Sequence, residues 1–393
     1  MTEFARYLRT ETAGGIVLLV ATAVALLLAN TPLATVYEGL RDYPLGPDVL
    51  HLRLTLGQWA SDGLLALFFF VVGLELKREL VTGELANMKA AVLPIVAALG
   101  GMVVPAAIAA AIAAGEPGID RAFAIPVATD IAFALGVLAL TASRLPSSAR
   151  VFLLSLAVVD DLGAIVLIAV LFTHSLNLLA AAAAVLLLAL YAYLQHRRVR
   201  TAWLYVPIAL GTWVAVHATG VHATIAGIAL GLLTRVRADR GESSSPALRL
   251  EHRLQPYSAG VAVPLFALSA AGVAVSADAL GALVSDRIAI AVVTGLIVGK
   301  LLGIFGACWV AVRLGLAVRP QGMGWRDLFA VAMLGGVGFT VSLLIAELAL
   351  RGEAAERAKA AVLVASVLAS LLAATLLLRR NAARAEADPA QSV

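Results

Sequence analysis

Cysteine is nearly missing from this chain, and charge is scarce. The single thiol, Cys308, excludes an intramolecular disulfide, a cysteine-rich metal site and a CxxC redox pair. Charged residues supply 14% of the 393 positions, against about 25% in soluble domains. Hydrophobic residues make up 61%, and mean hydropathy is +0.95. A soluble globular protein is excluded, and the chain reads as an all-α polytopic membrane protein. The net charge of +4 reflects loop asymmetry rather than nucleic-acid binding.

Apolar runs near the ~20 residues needed to span a bilayer fall at about 12–30, 59–76, 92–114, 121–142, 150–173 and 178–194. Six more follow at about 203–217, 219–234, 257–275, 288–312, 327–350 and 357–378, so twelve transmembrane helices are expected. The first run follows Arg6 and Arg9 as a signal peptide would. Its apolar core is too long and no small-x-small cleavage pattern follows, so it counts as helix 1.

Basic residues test that count. Of 29 lysines and arginines, 21 fall in one set of alternate segments, from Arg6 and Arg9 through Lys77, Arg197 and Arg240 to Arg384. Seven, including Arg41, Arg121 and Arg357, fall in the other set, and Lys300 lies inside a span. By the positive-inside rule both termini are cytoplasmic.

Two loops have their own character. Residues 42–58, on the outer side, carry turn residues Pro44, Gly46 and Pro47 and then alternate polar and apolar side chains. That pattern fits a short hairpin whose edge could pair with a second copy, and equally an ordered outer loop with no partner. The inner stretch from Arg235 to Gln255 is rich in arginine and serine and reads as a flexible connection.

Four ions remain inside the spans. Asp160 and Asp161 lie about ten residues, roughly 15 Å, into helix 5; Asp130 lies roughly 13 Å into helix 4 and Lys300 roughly 18 Å into helix 10. In a hydrocarbon core about 30 Å thick all four share the midplane. Each carboxylate costs about 2.5–3.5 kcal/mol at a helix centre on translocon scales. Neutral Ser, Asn or Gln would join helices more cheaply, so the ions are there for function. Neighbours on a helix point about 100° apart, so one aspartate of the pair could bind a transported species while the other meets Lys300.

Helix breakers sit at the same depth. Pro126 precedes Asp130 by four residues and removes a backbone donor. In helix 11, Gly335, Gly336 and Gly338 fall within five residues. Glycines also permit close packing, but helices 4 and 11 run in opposite directions, and matched interruptions in inverted halves point to a transporter's binding site. If both unwind, Asp130 would compensate positive half-helix ends and Lys300 negative ones.

These residues resemble the NhaA-type sodium/proton antiporters. The resemblance covers nearly the whole chain and is carried by Asp62-Gly63-Leu64-Leu65-Ala66, Val72-Gly73-Leu74-Glu75-Leu76-Lys77-Arg78-Glu79 and Ala128-Thr129-Asp130-Ile131-Ala132-Phe133. Further matches are Val158-Val159-Asp160-Asp161-Leu162-Gly163, Gly220-Val221-His222-Ala223-Thr224, Leu250-Glu251-His252 and Gly335-Gly336-Val337-Gly338-Phe339-Thr340-Val341-Ser342. It implies a single transporter domain over 1–380, after which the polar, alanine-rich stretch 381–393 reads by composition as a disordered cytoplasmic tail. Within the domain it implies inverted repeats at about 92–173 and 288–378, crossed discontinuous helices 4 and 11, and a homodimer through an outer β-hairpin at about 42–58. It further implies electrogenic exchange at a bacterial inner membrane, two protons inward per sodium or lithium ion outward, activated at alkaline pH and needing no cofactor.

By the same resemblance Asp160 and Asp161 form the ion-binding pair, Asp161 the more direct cation ligand, with Thr129, Asp130 and Lys300 beside them. Glu75, Glu79, Glu251 and His252 are associated with the pH response, and His222 ranks below them. The chain departs from the pattern at Arg253, which replaces an aliphatic residue, and at Gln255, where a second histidine can occur. One titratable group fewer and one fixed cation more put the pH set-point in question. The chemistry agrees: sodium is a hard cation that wants oxygen ligands, and burial with like charge nearby favours the protonated form of a carboxylate.

Three rival classes fare worse. An intramembrane aspartyl protease would leave Lys300 and the broken helix 11 unexplained. A nucleotide-driven pump would need a P-loop, and Gly295-Leu296-Ile297-Val298-Gly299-Lys300-Leu301 has one residue too few and no hydroxyl after the lysine. An organic-anion symporter of the same fold has no need of a double aspartate with a buried lysine.

Overall fold

The computed structural model describes residues 11–48, 52–142, 144–173, 176–239, 241–275, 281 and 283–387. Arg6, Arg9, Arg240 and the end of the tail lie outside the described residues. The described residues form two compact units, one within 17–83 and 165–272, the other within 11–16, 84–164 and 273–387.

The elements run α1 (Glu11–Ala29), α2 (Ala34–Arg41), β1 (Pro44–Leu45), β2 (Leu54–Thr55), α3 (Leu56–Val81) and α4 (Met88–Ile112). Then come α5 (Ile119–Ala122), α6 (Ile131–Thr141), α7 (Ser147–Leu171), α8 (Leu178–His196), α9 (Ala202–Thr219) and α10 (Thr224–Leu233). The rest are α11 (Pro246–Tyr257), α12 (Val263–Ala270), α13 (Arg287–Arg313), α14 (Trp325–Leu334), α15 (Phe339–Ala349) and α16 (Gly352–Ala387).

Every apolar run is helical, but not all are long. Among the described residues eight helices are long and apolar enough to cross a membrane, or ten if the bent pairs α1–α2 and α14–α15 each count once. Twelve were expected. The difference arises because α10 has only ten residues and α11 opens with the polar run Arg249, Glu251, His252 and Arg253.

In the first unit, α3 starts from a capping box in which Thr55 and Gln58 each accept the other's backbone N–H. The outer loop does form a hairpin, though a minimal one: Pro44 pairs with Thr55 and Leu45 with Leu54, antiparallel. Residues 49–51 of the expected alternation lie outside the described residues.

The inner connection is more structured than its composition promised. Glu242 accepts from the Asp239 N–H at 2.9 Å and from Arg235 at 3.2 Å, with Arg200 and Arg249 also within pairing distance. Arg198 and Arg235 both pair with Asp239. Arginines that would repel one another in a flexible loop are matched here by two acids, and Ser245 then caps α11.

In the second unit α4 and α13 pack backbone to backbone. A Cβ on Gly303 would collide with Gly100 O, so only glycine allows this approach. The same α13 contains a π turn at Gly295–Gly299, immediately before Lys300. Such single wide turns often occur at functional sites. The tail expected to be disordered from 381 instead continues α16 to Ala387, because Arg380 and Arg384 find a buried acid.

Candidate ion-binding site

Asp130, Asp160, Asp161 and Lys300, the ions expected at the midplane, all belong to the second unit. Between α5 and α6 the chain makes a 3-10 turn at Ile125–Val127, with Pro126 inside it. It is extended at Ala128, and Asp130 becomes the N-cap of α6. Between α14 and α15 the chain leaves the helix at Gly335, and the two half-helices diverge by 46°. A Cβ on Gly336 would lie 2.5 Å from Leu296 O, so this turn needs glycine to sit against α13.

Backbone groups freed from a helix in an apolar medium must find partners, and the two interruptions supply them to each other. The Asp130 N–H donates to Val337 O at 2.6 Å. The Thr129 hydroxyl donates to Gly335 O at 2.9 Å and the Ser342 hydroxyl to Ile125 O at 2.7 Å. Asp130 Oδ1 accepts from the Phe133 N–H at 3.0 Å. Its Oδ2 accepts from the Thr340 N–H at 3.2 Å and the Thr340 hydroxyl at 2.8 Å. One carboxylate therefore caps α6 and α15 together, where helix N-termini carry about +0.5 charge each.

Lys300 does not do the reciprocal job. Its Nζ donates to Asp160 Oδ2 at 2.7 Å, both side chains being fully buried. The expectation that it neutralises half-helix C-termini is corrected for a simple reason: Gly335 O and Val337 O already have donors in Thr129 and Asp130. Asp161 is 2% exposed and acts electrostatically on Lys300. Thr129 neighbours Asp160, whose Oδ1 has no hydrogen-bond partner among the described residues. The arrangement brings together two adjacent buried carboxylates, one buried amine and an unwound segment.

Glu75, Glu79, Glu251 and His252, the residues expected to take part in the pH response, lie in the first unit. Arg78 makes a two-pronged bond to Glu251, Nε to Oε2 at 3.1 Å and Nη2 to Oε1 at 3.3 Å, and lies 3.6 Å from Glu79. Glu79 is buried, Glu75 half-buried one turn earlier, and His252 and Arg253 exposed. His222 is in a separate group: its Nε2 lies 3.2 Å from Asp62 Oδ1, and His217 Nδ1 is 3.7 Å from the other oxygen.

Sequence reading missed Thr340, Ser342, Ser366 and His217. The Phe339 N–H donates to Ser366 Oγ at 3.2 Å, so even the first residue of α15 is satisfied by a side chain. A signal for Thr340 and Ser342 existed: hydroxyls placed directly after a glycine break occupy the first turn of the next helix, where orphan N–H groups gather.

The sequence matches the family described as Na+/H+ antiporter 1 over residues 5–377. It is similar to "Na(+)/H(+) antiporter NhaA 1" of Saccharopolyspora erythraea, 68% identical over 379 residues, covering 96% of this chain and 92% of the relative. A Rhodococcus jostii relative named "Na(+)/H(+) antiporter NhaA 2" is 63% identical, covering 98% of this chain and 94% of its own length. One from Nocardia farcinica, "Na(+)/H(+) antiporter NhaA", is 62% identical with 97% and 92% covered.

Proposed function

The chain belongs to the Na+/H+ antiporter 1 family, and from that premise we propose that it is a secondary transporter exchanging sodium or lithium for protons across a bacterial inner membrane. The observation that carries the reading is the Lys300–Asp160 pair with Asp161 beside it, all buried against an unwound segment.

In this reading Asp160 and Asp161 hold protons or a cation, never both. Sodium would take oxygen ligands from Asp161, Asp160 and the Thr129 region. Its charge competes with the Lys300 ammonium and with protons for the same two carboxylates, and that competition couples the two fluxes. Two protons inward per sodium outward moves net charge, so exchange is electrogenic. Asp130 holds the two half-helices in place, and the breaks at Pro126, Gly335, Gly336 and Gly338 let the pocket open to alternate sides.

The same reading includes twelve crossings with both termini cytoplasmic, inverted repeats at about 92–173 and 288–378, and interrupted helices that cross. It also includes one transporter domain over 1–380 and a homodimer through the outer hairpin. Alkaline activation is assigned to the Arg78-centred group of Glu75, Glu79, Glu251 and His252, with His222 secondary.

Proteoliposomes test this directly. Wild-type protein should give sodium-driven proton flux that grows from neutral to alkaline pH and speeds up when the membrane potential is clamped. Asp161→Asn and Asp160→Asn should abolish it. Full-rate exchange with both positions amidated would end the proposal.

A further inference from the structure

A buried carboxylate outside the ion site holds the far end of α14. Asp327 is the third residue of that helix yet only 1% exposed. Its Oδ2 accepts from the Gly324 N–H at 2.9 Å, an ordinary capping bond. Two further bonds exceed what a cap requires: Arg380 Nε reaches Oδ1 at 2.8 Å and Arg384 Nη2 reaches Oδ2 at 2.6 Å. Arg380 and Arg384 stand one turn apart on α16, so both face the same acid.

The surrounding loop is tied to the same helix. Arg384 also donates to Gly322 O at 2.7 Å, and the Arg144 N–H donates to Asn381 Oδ1 at 2.7 Å. The Ser148 hydroxyl donates to Gln321 O at 2.6 Å. With 36 residues, α16 is far longer than the ~20 a bilayer needs. Its surplus length carries the two arginines to Asp327.

At its other end α14 stops at Leu334, and the next carbonyls, Gly335 O and Val337 O, hold Thr129 and Asp130. A ten-residue helix is a rod of about 15 Å, packed in an interior that transmits strain. Displacement at its first turn arrives at its last.

We propose that Asp327, gripped by Arg380 and Arg384, is a positioning residue for the ion site, setting where α14 presents the Gly335 and Val337 carbonyls. It touches no transported ion and acts through the helix. The inference rests on the exchange reading above, so wild-type protein in the same vesicles is part of its test.

Sodium-dependent proton flux, measured over a range of sodium concentrations, separates KM from maximal rate. Asp327→Asn, and separately the double change Arg380→Gln with Arg384→Gln, should raise the sodium KM between about twofold and thirtyfold while maximal rate is kept. Asp327→Glu should recover most of the affinity, and Arg326→Gln, at an exposed neighbour outside the clamp, should behave as wild type. Should Asp327→Asn fail to fold, Arg384→Gln alone carries the same expectation. Unchanged KM in the clamp variants, or a fall only in maximal rate alongside a lower melting temperature, would overturn the proposal. Wild-type vesicles without exchange would sink the antiport reading and this one together; wild-type exchange with unshifted variants sinks this one alone.

Discussion

Thr340 donates both its backbone N–H and its hydroxyl to one oxygen of Asp130, across 210 residues of sequence. The bond joins two interrupted helices through a single atom. Thr340→Val keeps the shape but deprives a buried carboxylate of a donor, which costs about 1–3 kcal/mol. Thermal melting in detergent should fall for Thr340→Val and stay near wild type for Thr340→Ser. Equal melting of the two variants would show that the hydroxyl contributes nothing.

The Lys300–Asp160 pair is a second case of mutual dependence. Removing one member of a buried pair typically costs about 3–5 kcal/mol, because the survivor is left charged without a partner. Lys300→Met and Asp160→Asn should each destabilise the protein strongly. The double variant should lose much less than the two losses added together. A double-mutant cycle on melting free energies measures this coupling, and strict additivity would contradict it.

Strong acid should loosen the loop around Glu242. Glu242's carboxyl is held down from 4.5 to about 2, first by the Asp239 N–H and then by Arg235 and Arg200. Its folded-state pKa lies below the unfolded one, so its contribution is complete above about 4.5 and is lost as pH falls toward about 2. Hydrogen exchange in residues 235–245, corrected for intrinsic rates, should be slow at pH 6 and accelerate through that window. Glu242→Gln should exchange fast even at pH 6.

Gly303 offers a purely steric test. The atom that a Cβ would meet there is Gly100 O, part of a helix backbone rather than a side chain that can swing aside. Gly303→Ala must push α13 off α4 at an overpacking cost of about 1–3 kcal/mol. Because Lys300 is one turn away, exchange should suffer along with the melting temperature. A variant that melts normally would show that the two helices can separate freely.

Much of this site could be read from residue order because its parts violate local rules. A proline four residues before an aspartate, and three glycines in five positions, are conspicuous in helices that are otherwise mostly apolar. The midplane ions were visible for the same reason. Thr340 and Ser342 were legible only through their place after the glycine break, and Ser366 was not, since one hydroxyl in an apolar helix can bond its own backbone and leaves no periodic trace. The role expected for Lys300 was misjudged because whether a carbonyl end is already satisfied depends on which strand lies opposite. The Arg235–Gln255 connection reads as flexible on composition because it is rich in arginine, and only the fold reveals that Asp239 and Glu242 pair with Arg198, Arg200, Arg235 and Arg249. Two of the twelve expected crossings are not matched by a long apolar helix, where α10 is short and where α11 opens with charged residues, because hydropathy cannot tell a short crossing from a buried stub.

The wide turn at Gly295–Gly299 accommodates one residue more than a regular repeat would. Deleting Val298 would leave composition, hydropathy and span length almost untouched and could restore an unbroken α ladder. Five residues in a wide turn cover about the same rotation as four in a regular helix, so Lys300 would keep its phase toward Asp160. Deleting Ala291 from the regular turns before it would instead rotate everything after it by about 100°, turning the ammonium of Lys300 away from Asp160 without a single functional side chain having been altered. In this protein the phase of a helix is as much a part of the chemistry as the identity of the acids and the amine.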